Sequence, residues 1–412
     1  MNNITTVIES HFNSIIRWLE NEKAASSQII YTSVDIRESS DKITSIDTNV
    51  FPAGFNNLCE TNHSIIKNSL KDFIDKNFPS TKHILLFCED HTRNLFYLEN
   101  VYQLTRIIKN AGFKVTIGTF FNDHPQVCET NGYLDLKTMS DQPFRIYCLN
   151  FILKNLTNFN FDICLLNNDL TNGDLNALKE LNLPIIPDVN MGWYKRQKST
   201  HFKTFNHLID KMIKDCKLDI DPWQLTTLFK TESNVNINNE SDRNRLADAA
   251  EELLDEIKAK YNEHKITSTP YLILKANNGT YGMGVISINN PDEIKSLNRK
   301  NRNKLFKGKS STPIESLIIQ EGIPSIKVID KATSEEVIYN VNGTTVGGFY
   351  RMHDAKSDKD ILNSKGMQFK SFCKNNNEIN SSSVIEDIFV SKTSYIIAQL
   401  ANLSAQKELS LV

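Results

Sequence analysis

One stretch of the sequence combines a lysine with closely spaced glycines, which suits the binding of a phosphate chain. It reads YLILKANNGTYGMGVISI and occupies residues 271–288. The candidate ligand groups within it are Lys275, Asn278, Gly279, Gly282 and Gly284. Glycines let backbone N–H groups approach phosphate oxygens, and a lysine at the end of a strand supplies a point charge. We therefore predict a nucleotide site, with ATP as the natural ligand. An ordinary hairpin with a glycine-rich turn and a surface lysine is the alternative.

The flanks of this stretch predict a strand on either side of the glycine loop. Apolar residues precede Lys275, and a second β-like run resumes at Val285. A Walker A loop needs Gly-Lys-Ser/Thr at the start of a helix, and the glycines of a dinucleotide fingerprint also lead into a helix. The pattern therefore predicts a hairpin and excludes both of these motifs.

A nucleotide site of this kind needs a second lysine, a hinge strand and hard oxygen ligands for a metal ion. Lys198 stands at the start of a helical region, and Gln320 and Glu321 end a buried apolar strand, SLIIQEGI. Asp47 and Asn49 alternate on a predicted strand, so both face the same side and offer oxygens to Mg²⁺. On its own, an Asp-x-Asn pair is more often part of a turn.

The elements that must position these residues point to a mixed α/β chain. A strand at 83–87, a helix at 95–110 and a strand at 114–117 form a βαβ unit, which is typical of an open, mostly parallel sheet. Further strands are predicted at 144–149, 162–166 and 183–186. We place a domain boundary near residue 190. Residues 1–190 then form an α/β domain for substrate and metal, and residues 191–412 form the α+β nucleotide-binding lobes.

Composition favours a small-molecule partner. The chain has 412 residues, 23% of them charged, and a net charge of −2, so no global field favours nucleic acid or an anionic membrane. No apolar run approaches a membrane span and the N-terminus lacks a signal-peptide pattern, so we expect a cytoplasmic protein. The seven cysteines are scattered without a CxxC motif, which predicts reduced, mostly buried thiols.

Several ordered blocks carry a family resemblance that spans nearly the whole chain. They read VDIRESSDKITSIDTNVFPAGFNNL, HTRNLFYLENV, LLNNDL, NGTYGMG and VGGFYRMH, together with GW and KS-HF around residues 192–202. Together they resemble the atypical glutamate–cysteine ligase family of proteobacteria. Individual segments also resemble the eukaryotic glutathione synthetases, which are circularly permuted ATP-grasp proteins. The ATP-grasp pattern Glu-x-Asn is missing after residue 321, and Asp47-x-Asn49 resembles the permuted version of it.

The resemblance implies ATP- and Mg²⁺-dependent joining of L-glutamate to L-cysteine. Arg351 and Lys275 would be the catalytic cations. The implied substrate-binding residues are Arg37, Asn56, Arg93, Asn94 and Arg351. Each arginine alone is more often a surface ion pair, and Asn94 could simply cap a helix. Asp35 is a third candidate metal oxygen. Another ATP-grasp carboxylate–amine ligase, such as a glutathione synthetase, and a non-catalytic nucleotide-binding regulator stay open, as does homo-oligomerisation.

Overall fold

The computed structural model describes residues 3–24, 29–122, 124–171, 175–278, 284–306, 316–373 and 384–410. Its strands are β1 (Tyr31–Glu38), β2 (Ile43–Asn49), β3 (His83–Cys88), β4 (Lys114–Thr119), β5 (Tyr133–Lys137), β6 (Pro143–Cys148), β7 (Ile163–Asn167), β8 (Ile185–Ile186), β9 (Phe229–Ser233), β10 (Leu272–Ala276), β11 (Ile286–Ile288), β12 (Ser316–Glu321), β13 (Val328–Ile329), β14 (Ala332–Val341), β15 (Thr344–His353), β16 (Gln368–Ser371), β17 (Val384–Ile385) and β18 (Val390–Ser391).

The helices connect and cover these strands. They are α1 (Asn3–Ser10), α2 (Phe12–Ala24), α3 (His63–Asn77), α4 (Leu95–Asn110), α5 (Pro125–Glu129), α6 (Leu149–Lys154), α7 (Leu156–Phe159), α8 (Leu175–Lys179), α9 (Lys198–Cys216), α10 (Glu240–Glu263), α11 (Asp292–Lys295), α12 (Arg299–Phe306) and α13 (Lys392–Leu409). In the part of the chain described, no helix is long and apolar enough to cross a membrane.

The first large sheet combines strands from both ends of the chain. Its order is β16-β15-β14-β1-β2, with β13 paired to β14, and its neighbouring strands are antiparallel. The predicted boundary near residue 190 therefore lies between strands that share one sheet. Helix α13 packs across this sheet and against α9, and it is buried along most of its length.

The second large sheet is the open α/β sheet that the sequence predicts. Its order is β5-β6-β4-β3-β7-β8, and every pairing is parallel except β5 with β6. Strands buried on both faces of a parallel sheet read as continuous apolar runs, as HILLFC does in β3. Helix α4 packs on this sheet, and α3 packs against α4 and against β14 and β15 of the first sheet.

The glycine stretch lies in a third, antiparallel sheet with the order β11-β10-β12-β9. Leu272 of β10 pairs with Ile288 of β11, which confirms the predicted strand, loop and strand. Gly279 and Gly282 lie outside the described residues, whereas Gly284 has a φ of +73°. Helix α10 packs on this sheet through the apolar face that its sequence predicts.

An Asn-Gly pair at 342–343, which in a sequence favours a tight hairpin turn, joins β14 and β15. Its two residues have φ values of +51° and +72°, as a type I′ turn requires. A β-bulge then shifts the register between Tyr339 and Asn340. Gly347 sits at this shift with a φ of +133°, and a Cβ there would lie 2.1 Å from the Asn62 side chain, so only glycine fits.

The cysteines correct one expectation from the sequence. Cys59 and Cys373 form a disulfide across 314 sequence positions, and Cys128 pairs with Cys148. The free thiols are Cys88, Cys164 and Cys216. The prediction of seven reduced thiols is therefore wrong for four of them. Motif spacing could not reveal these pairs, because the fold alone brings the partners to Cα distances of 5.6 and 5.4 Å.

Candidate functional site

A charged floor forms on one face of the first sheet. Its charged side chains are Asp35 and Arg37 from β1, Asp47 from β2, Glu335 from β14 and Arg351 from β15. The strand register places Asp35 opposite Asp47, and Glu335 opposite Arg351. Residues that stand opposite each other, or two apart on one strand, point to the same side of a sheet. The fold thus concentrates charges that are far apart in the sequence.

Arg351 is held by two carboxylates of this floor. Its Nη1 lies 2.7 Å from Asp35 and 2.6 Å from Glu335, and its Nη2 donates to Asp35 at 3.4 Å. The Nε–H is buried and has no hydrogen-bond partner among the described residues. Because a guanidinium is always charged and rigid, Arg351 can offer this remaining donor to an anionic ligand.

Arg37, in contrast, uses its donors within the protein. Its Nε donates to Glu335 at 2.7 Å, while Nη1 and Nη2 donate to the carbonyl oxygens of Ile323 at 3.2 Å and Asp360 at 2.6 Å. Asp360 belongs to the loop between β15 and β16, which also carries Asn363. Arg37 therefore ties that loop to the charged floor.

The two acidic groups beside Arg351 ionise differently. Burial raises the pKa of Asp35 and Glu335 adds to the effect, so that together they outweigh the attraction of Arg351. Burial also opposes ionisation of Glu335, but Arg37 and Arg351 together hold its pKa below the usual range. The floor therefore keeps Glu335 charged more firmly than Asp35.

Two lysines face Asp47. Lys198 donates to the Asp47 carboxylate at 2.7 Å, and Lys275 donates to the carbonyl of Ile46 at 3.0 Å. Burial opposes ionisation of Asp47, yet the charges of Lys198 and Lys275 hold its pKa well below the usual range. Burial lowers the pKa of Lys275 to about 8, although Asp47 opposes this shift. An added anion would therefore find two cations next to one carboxylate.

The start of α9 fixes the position of Lys198. Asn277, just beyond β10, accepts a hydrogen bond from the Lys198 N–H through its carbonyl and from the Ser199 N–H through its side chain, at 2.8 and 2.9 Å. These contacts satisfy helix N–H groups that have no partner within the helix. The lysine Nζ also lies 4.1 Å from the centre of the Trp193 ring.

The last turn of α13 fastens α9 to β2. Glu408 accepts a hydrogen bond from Nε of Arg196 at 2.8 Å and contacts His201, while Nη1 of Arg196 donates to the carbonyl of Thr48 at 2.6 Å. Burial opposes ionisation of Glu408, but Arg196 and His201 lower its pKa to about 2. This buried network sets the relative positions of the strand with Asp47 and the helix with Lys198.

Two cavities adjoin on the charged floor. The smaller, of about 100 Å³, is lined by Lys198, Lys275, Gln320, Glu321, Arg37 and Glu335 among others. The larger, of about 450 Å³, is lined by Asn49, Asn56, Asn94, Asn100, Asp169 and several apolar side chains. Four residues line both, namely Asp35, Asp47, Arg351 and Asn363. A ligand in one cavity would therefore meet a ligand in the other at these four residues.

The structure also shows what the remaining candidates contact. The Glu321 carboxylate accepts hydrogen bonds from Lys42 at 2.6 Å and Trp223 at 3.1 Å, so its side chain is engaged although it lines the smaller cavity. Asn94 lines the larger cavity and also caps α4 by accepting from the Tyr97 N–H at 3.2 Å.

Three candidates lie at the margins of the site or beyond it. Arg93 is exposed and does not line either cavity. The Asn278 side chain buries an Oδ1 that has no partner within the described residues. The Nδ2 of Asn56 donates to Asn57 at 3.3 Å within the wall of the larger cavity.

Sequence reasoning missed Glu335 and did not recognise the position of Asn363. An uninterrupted two-residue hairpin would place Ser334 opposite Arg351, and the bulge moves Glu335 into that position. The available signal was the pair of glycines at 347 and 348, which marks an irregular strand. Asn363 lies in an irregular loop, for which the sequence offers no periodic pattern.

The donor set beside the lysines fits a hard divalent cation. Asp47 and Asn49 lie two residues apart on β2 and both line the larger cavity, and Asp35 faces Asp47 across the strand pair. Carboxylate and amide oxygens are the ligands that Mg²⁺ prefers. Only one oxygen of Asp47 is engaged by Lys198 in a hydrogen bond, so the carboxylate retains capacity to bind an ion.

A cavity with two lysines therefore adjoins an amide-rich cavity over one charged floor, an arrangement that could hold two kinds of small ligand. The family model for glutamate-cysteine ligase, GshA, matches residues 5–409. The chain belongs to the glutamate-cysteine ligase family and is an ATP-dependent ligase.

A solved structure agrees with this assignment. A protein of Methylobacillus flagellatus KT, which carries the provisional name gamma-glutamylcysteine synthetase, has 29% sequence identity and a TM-score of 0.86, over 100% of this chain and 96% of its own. No curated protein matches the chain in the sequence comparison.

Two more distant structures share much less. D-alanyl-alanine synthetase A of Vibrio cholerae has 13% identity and a TM-score of 0.31, over 73% of this chain and 78% of its own. A glutathione synthetase-like effector of Globodera pallida has 9% identity and a TM-score of 0.37, over 89% and 83%. These scores are too low to support an argument.

Proposed function

We propose that the protein joins the γ-carboxyl group of L-glutamate to the amine of L-cysteine through a γ-glutamyl phosphate, with ATP and Mg²⁺, on an ATP-grasp fold. The observation that carries this proposal is the meeting of the two cavities at Asp35, Asp47, Arg351 and Asn363. A carboxylate can be phosphorylated only if it reaches the γ-phosphate of the nucleotide, and these residues surround the place where the two sites touch.

In this proposal the smaller cavity receives the nucleotide. Lys198 and Lys275 neutralise the triphosphate, and β12 with Gln320 and Glu321 forms the adenine side of the site. The Gln320 side chain on β12 lies 3.5 Å from the carbonyl of Ile46 on β2, and Lys275 donates to the same carbonyl. Strand β12 is thereby held against β2, which carries Asp47 and Asn49. Gly279, Gly282 and Gly284 would cover the phosphates from the β10–β11 hairpin.

Asp47 and Asn49 would hold Mg²⁺, with Asp35 as a further oxygen ligand. The ion would supply charge neutralisation for the phosphates when bound. Lys198 already lies against Asp47, so the lysine and the ion would share this carboxylate. Lys275 donates to the carbonyl of Ile46, the residue before Asp47, so both lysines would lie beside the same phosphate chain.

The reaction would proceed in two steps at the junction of the cavities. A γ-carboxylate oxygen of glutamate attacks the γ-phosphorus, and ADP leaves. The cysteine amine, as the free base, then attacks the γ-carbonyl carbon, forming the C–N bond. The C–O bond to phosphate breaks, phosphate departs with the electron pair, and the amine proton passes to solvent. The Nε–H of Arg351, which has no partner among the described residues, would stabilise the negative charge that builds up in both steps.

The other substrate-binding candidates take different places in this proposal. Asn56 and Asn94 line the larger cavity, where they can bind the α-amino and α-carboxyl groups of glutamate. Arg37 acts through Glu335 and the loop with Asn363, because its own donors are engaged. Arg93 is exposed beside α4 and could only reach a ligand at the mouth of the cavity.

The test is ADP release by the purified protein with Mg²⁺ and ATP in defined substrate mixtures. We expect full turnover with glutamate and cysteine together, and a product with the mass of γ-glutamylcysteine. Turnover only with γ-glutamylcysteine and glycine would assign the later ligation step instead. Absence of turnover in every mixture, with ATP still bound, would identify a nucleotide-binding regulator.

A further inference from the structure

Three of the large apolar side chains that the described surface exposes line the larger cavity, and these three are called its apolar wall below. Phe96, Met367 and Phe369 are 62%, 37% and 36% exposed, and all three line this cavity. The other exposed large apolar residues in the described chain are Leu95, Met139, Ile326 and Val328. Clustered exposed apolar side chains at a cavity mark a binding surface more often than scattered ones do.

Phe369 lies beside the reacting centre of the proposed site. It stands directly opposite Arg351 in the pairing of β15 and β16, so the two side chains share a face of the sheet. Its ring makes an edge-to-face contact with Phe349 at 5.3 Å, which fixes its orientation. Met367 precedes it by two residues, and Phe96 comes from the first turn of α4 and lines the same cavity.

The lining of the larger cavity is also polar. Asn49, Asn56, Asn57, Asn100 and Asp169 supply amide and carboxylate groups. The α-amino and α-carboxyl groups of glutamate require such polar partners, because a buried charged group without a partner is costly. Apolar side chains cannot serve these charged groups, so the apolar wall beside Arg351 suits a different group, one that is small and apolar.

We propose that Phe96, Met367 and Phe369 bind the side chain of the acceptor amino acid and select a thiol-bearing acceptor over a hydroxyl-bearing one. This inference rests on the proposed ligase function. The –CH₂–SH group of cysteine is apolar and its sulfur makes favourable contacts with aromatic rings. A serine hydroxyl on the same wall would lose its water without gaining a partner.

The wall also predicts which other acceptors the enzyme accepts. An ethyl group has nearly the size and polarity of –CH₂–SH, so 2-aminobutyrate should be used with kcat/KM within about 10-fold of that for cysteine. Serine should be about 10²-fold poorer, which is the discrimination that an apolar pocket achieves against a hydroxyl.

The test uses Phe369→Ala and Phe96→Ala, which lie on different elements and are partly exposed, with Met139→Ala as an exposed apolar control outside both cavities. At saturating glutamate and ATP, each cavity variant should have a KM for cysteine about 10-fold above that of the wild type. The ratio of kcat/KM for cysteine to kcat/KM for serine should decrease in both. The control should behave like the wild type. Melting temperatures of all variants report whether the fold is intact.

A partial reaction separates the subsite from the ligase function itself. Glutamate-dependent positional isotope exchange in ATP, measured without cysteine, should be unchanged in both cavity variants. If the exchange rate or the KM for glutamate changes as much as the KM for cysteine, the apolar wall does not bind the acceptor. An unchanged KM for cysteine in both variants would also overturn the inference. Failure of the wild type to form a dipeptide would instead refute the proposed function.

Discussion

Replacing Arg351 by lysine removes the planar guanidinium group but keeps its positive charge. In the structure the guanidinium contacts Asp35 through two nitrogens and Glu335 through one, and Nε remains for a ligand. A lysine ammonium has three donors on one nitrogen and cannot reproduce this planar arrangement. The variant therefore loses one contact to Asp35 and the donor toward the reacting groups.

The size of the effect follows from these two losses. A hydrogen bond to a charged group contributes about 1.5–3 kcal/mol, and the Asp35 contact at 3.4 Å belongs at the lower end of this range. Together the losses amount to about 3 kcal/mol, and since about 1.4 kcal/mol corresponds to a factor of ten, kcat/KM should fall roughly 10²-fold.

The assay is steady-state ADP release with glutamate and cysteine. Arg145→Lys is the matched control, because Arg145 makes a two-nitrogen contact to Asp135 on the exposed surface, at 2.7 and 2.9 Å, outside both cavities. That variant should keep wild-type activity. Arg351→Lys activity within about threefold of the wild type would refute the idea that the rigid fork and its free Nε–H matter.

Three further predictions concern the charges around Arg351. Asp47→Asn should lower turnover at least about 10²-fold and weaken the binding of Mg²⁺, because a metal-binding oxygen loses its charge. Titrations of ADP release with Mg²⁺ that match the wild type would exclude Asp47 as a ligand. Since burial lowers the pKa of Lys275 to about 8, KM for ATP should rise above this pH as the ammonium loses its proton, and Lys275→Arg should remove the inflection. The effect of pH on stability runs the other way from its effect on ATP binding. Between pH 8 and the ordinary pKa of 10.5, Lys275 binds more protons in the unfolded chain than in the folded protein. The contribution of Lys275 to the free energy of unfolding therefore increases with pH over this range. Glu335→Gln leaves Arg37 and Arg351 without the negative charge that they share, and the free energy of unfolding measured in urea should fall by about 3–5 kcal/mol. A decrease below about 1 kcal/mol would mean that the Glu335 carboxylate is not the centre of this network.

Local patterns predicted the parts of the fold that depend on local physics. The two strands that flank the glycine stretch, the turn at Asn342-Gly343 and the helix at 95–110 all follow from periodicity and turn chemistry, and the structure has them. The helical spacing of apolar residues over 1–24 predicts one amphipathic helix, whereas the structure has two, α1 and α2, with a break at His11.

Long-range pairing was beyond the reach of the sequence. Glu335 meets Arg351 only because a bulge at Gly347 shifts the hairpin by one residue. The Cys59–Cys373 disulfide likewise depends on the sheet that joins the two ends of the chain. A single sequence carries no local signal for such contacts, so Asp35, Arg37, Asp47 and Arg351 could be proposed one by one from the sequence, but neither Glu335 nor the network that joins them could.

The most direct test of the proposed mechanism is the fate of the γ-carboxyl oxygens of glutamate. With ¹⁸O in both of these oxygens, the phosphate released during ligation should contain one ¹⁸O per molecule, because the carboxylate oxygen that attacks ATP leaves with the phosphate. Formation of γ-glutamylcysteine with unlabelled phosphate would contradict a γ-glutamyl phosphate and the proposal that glutamate meets ATP at the junction of the two cavities.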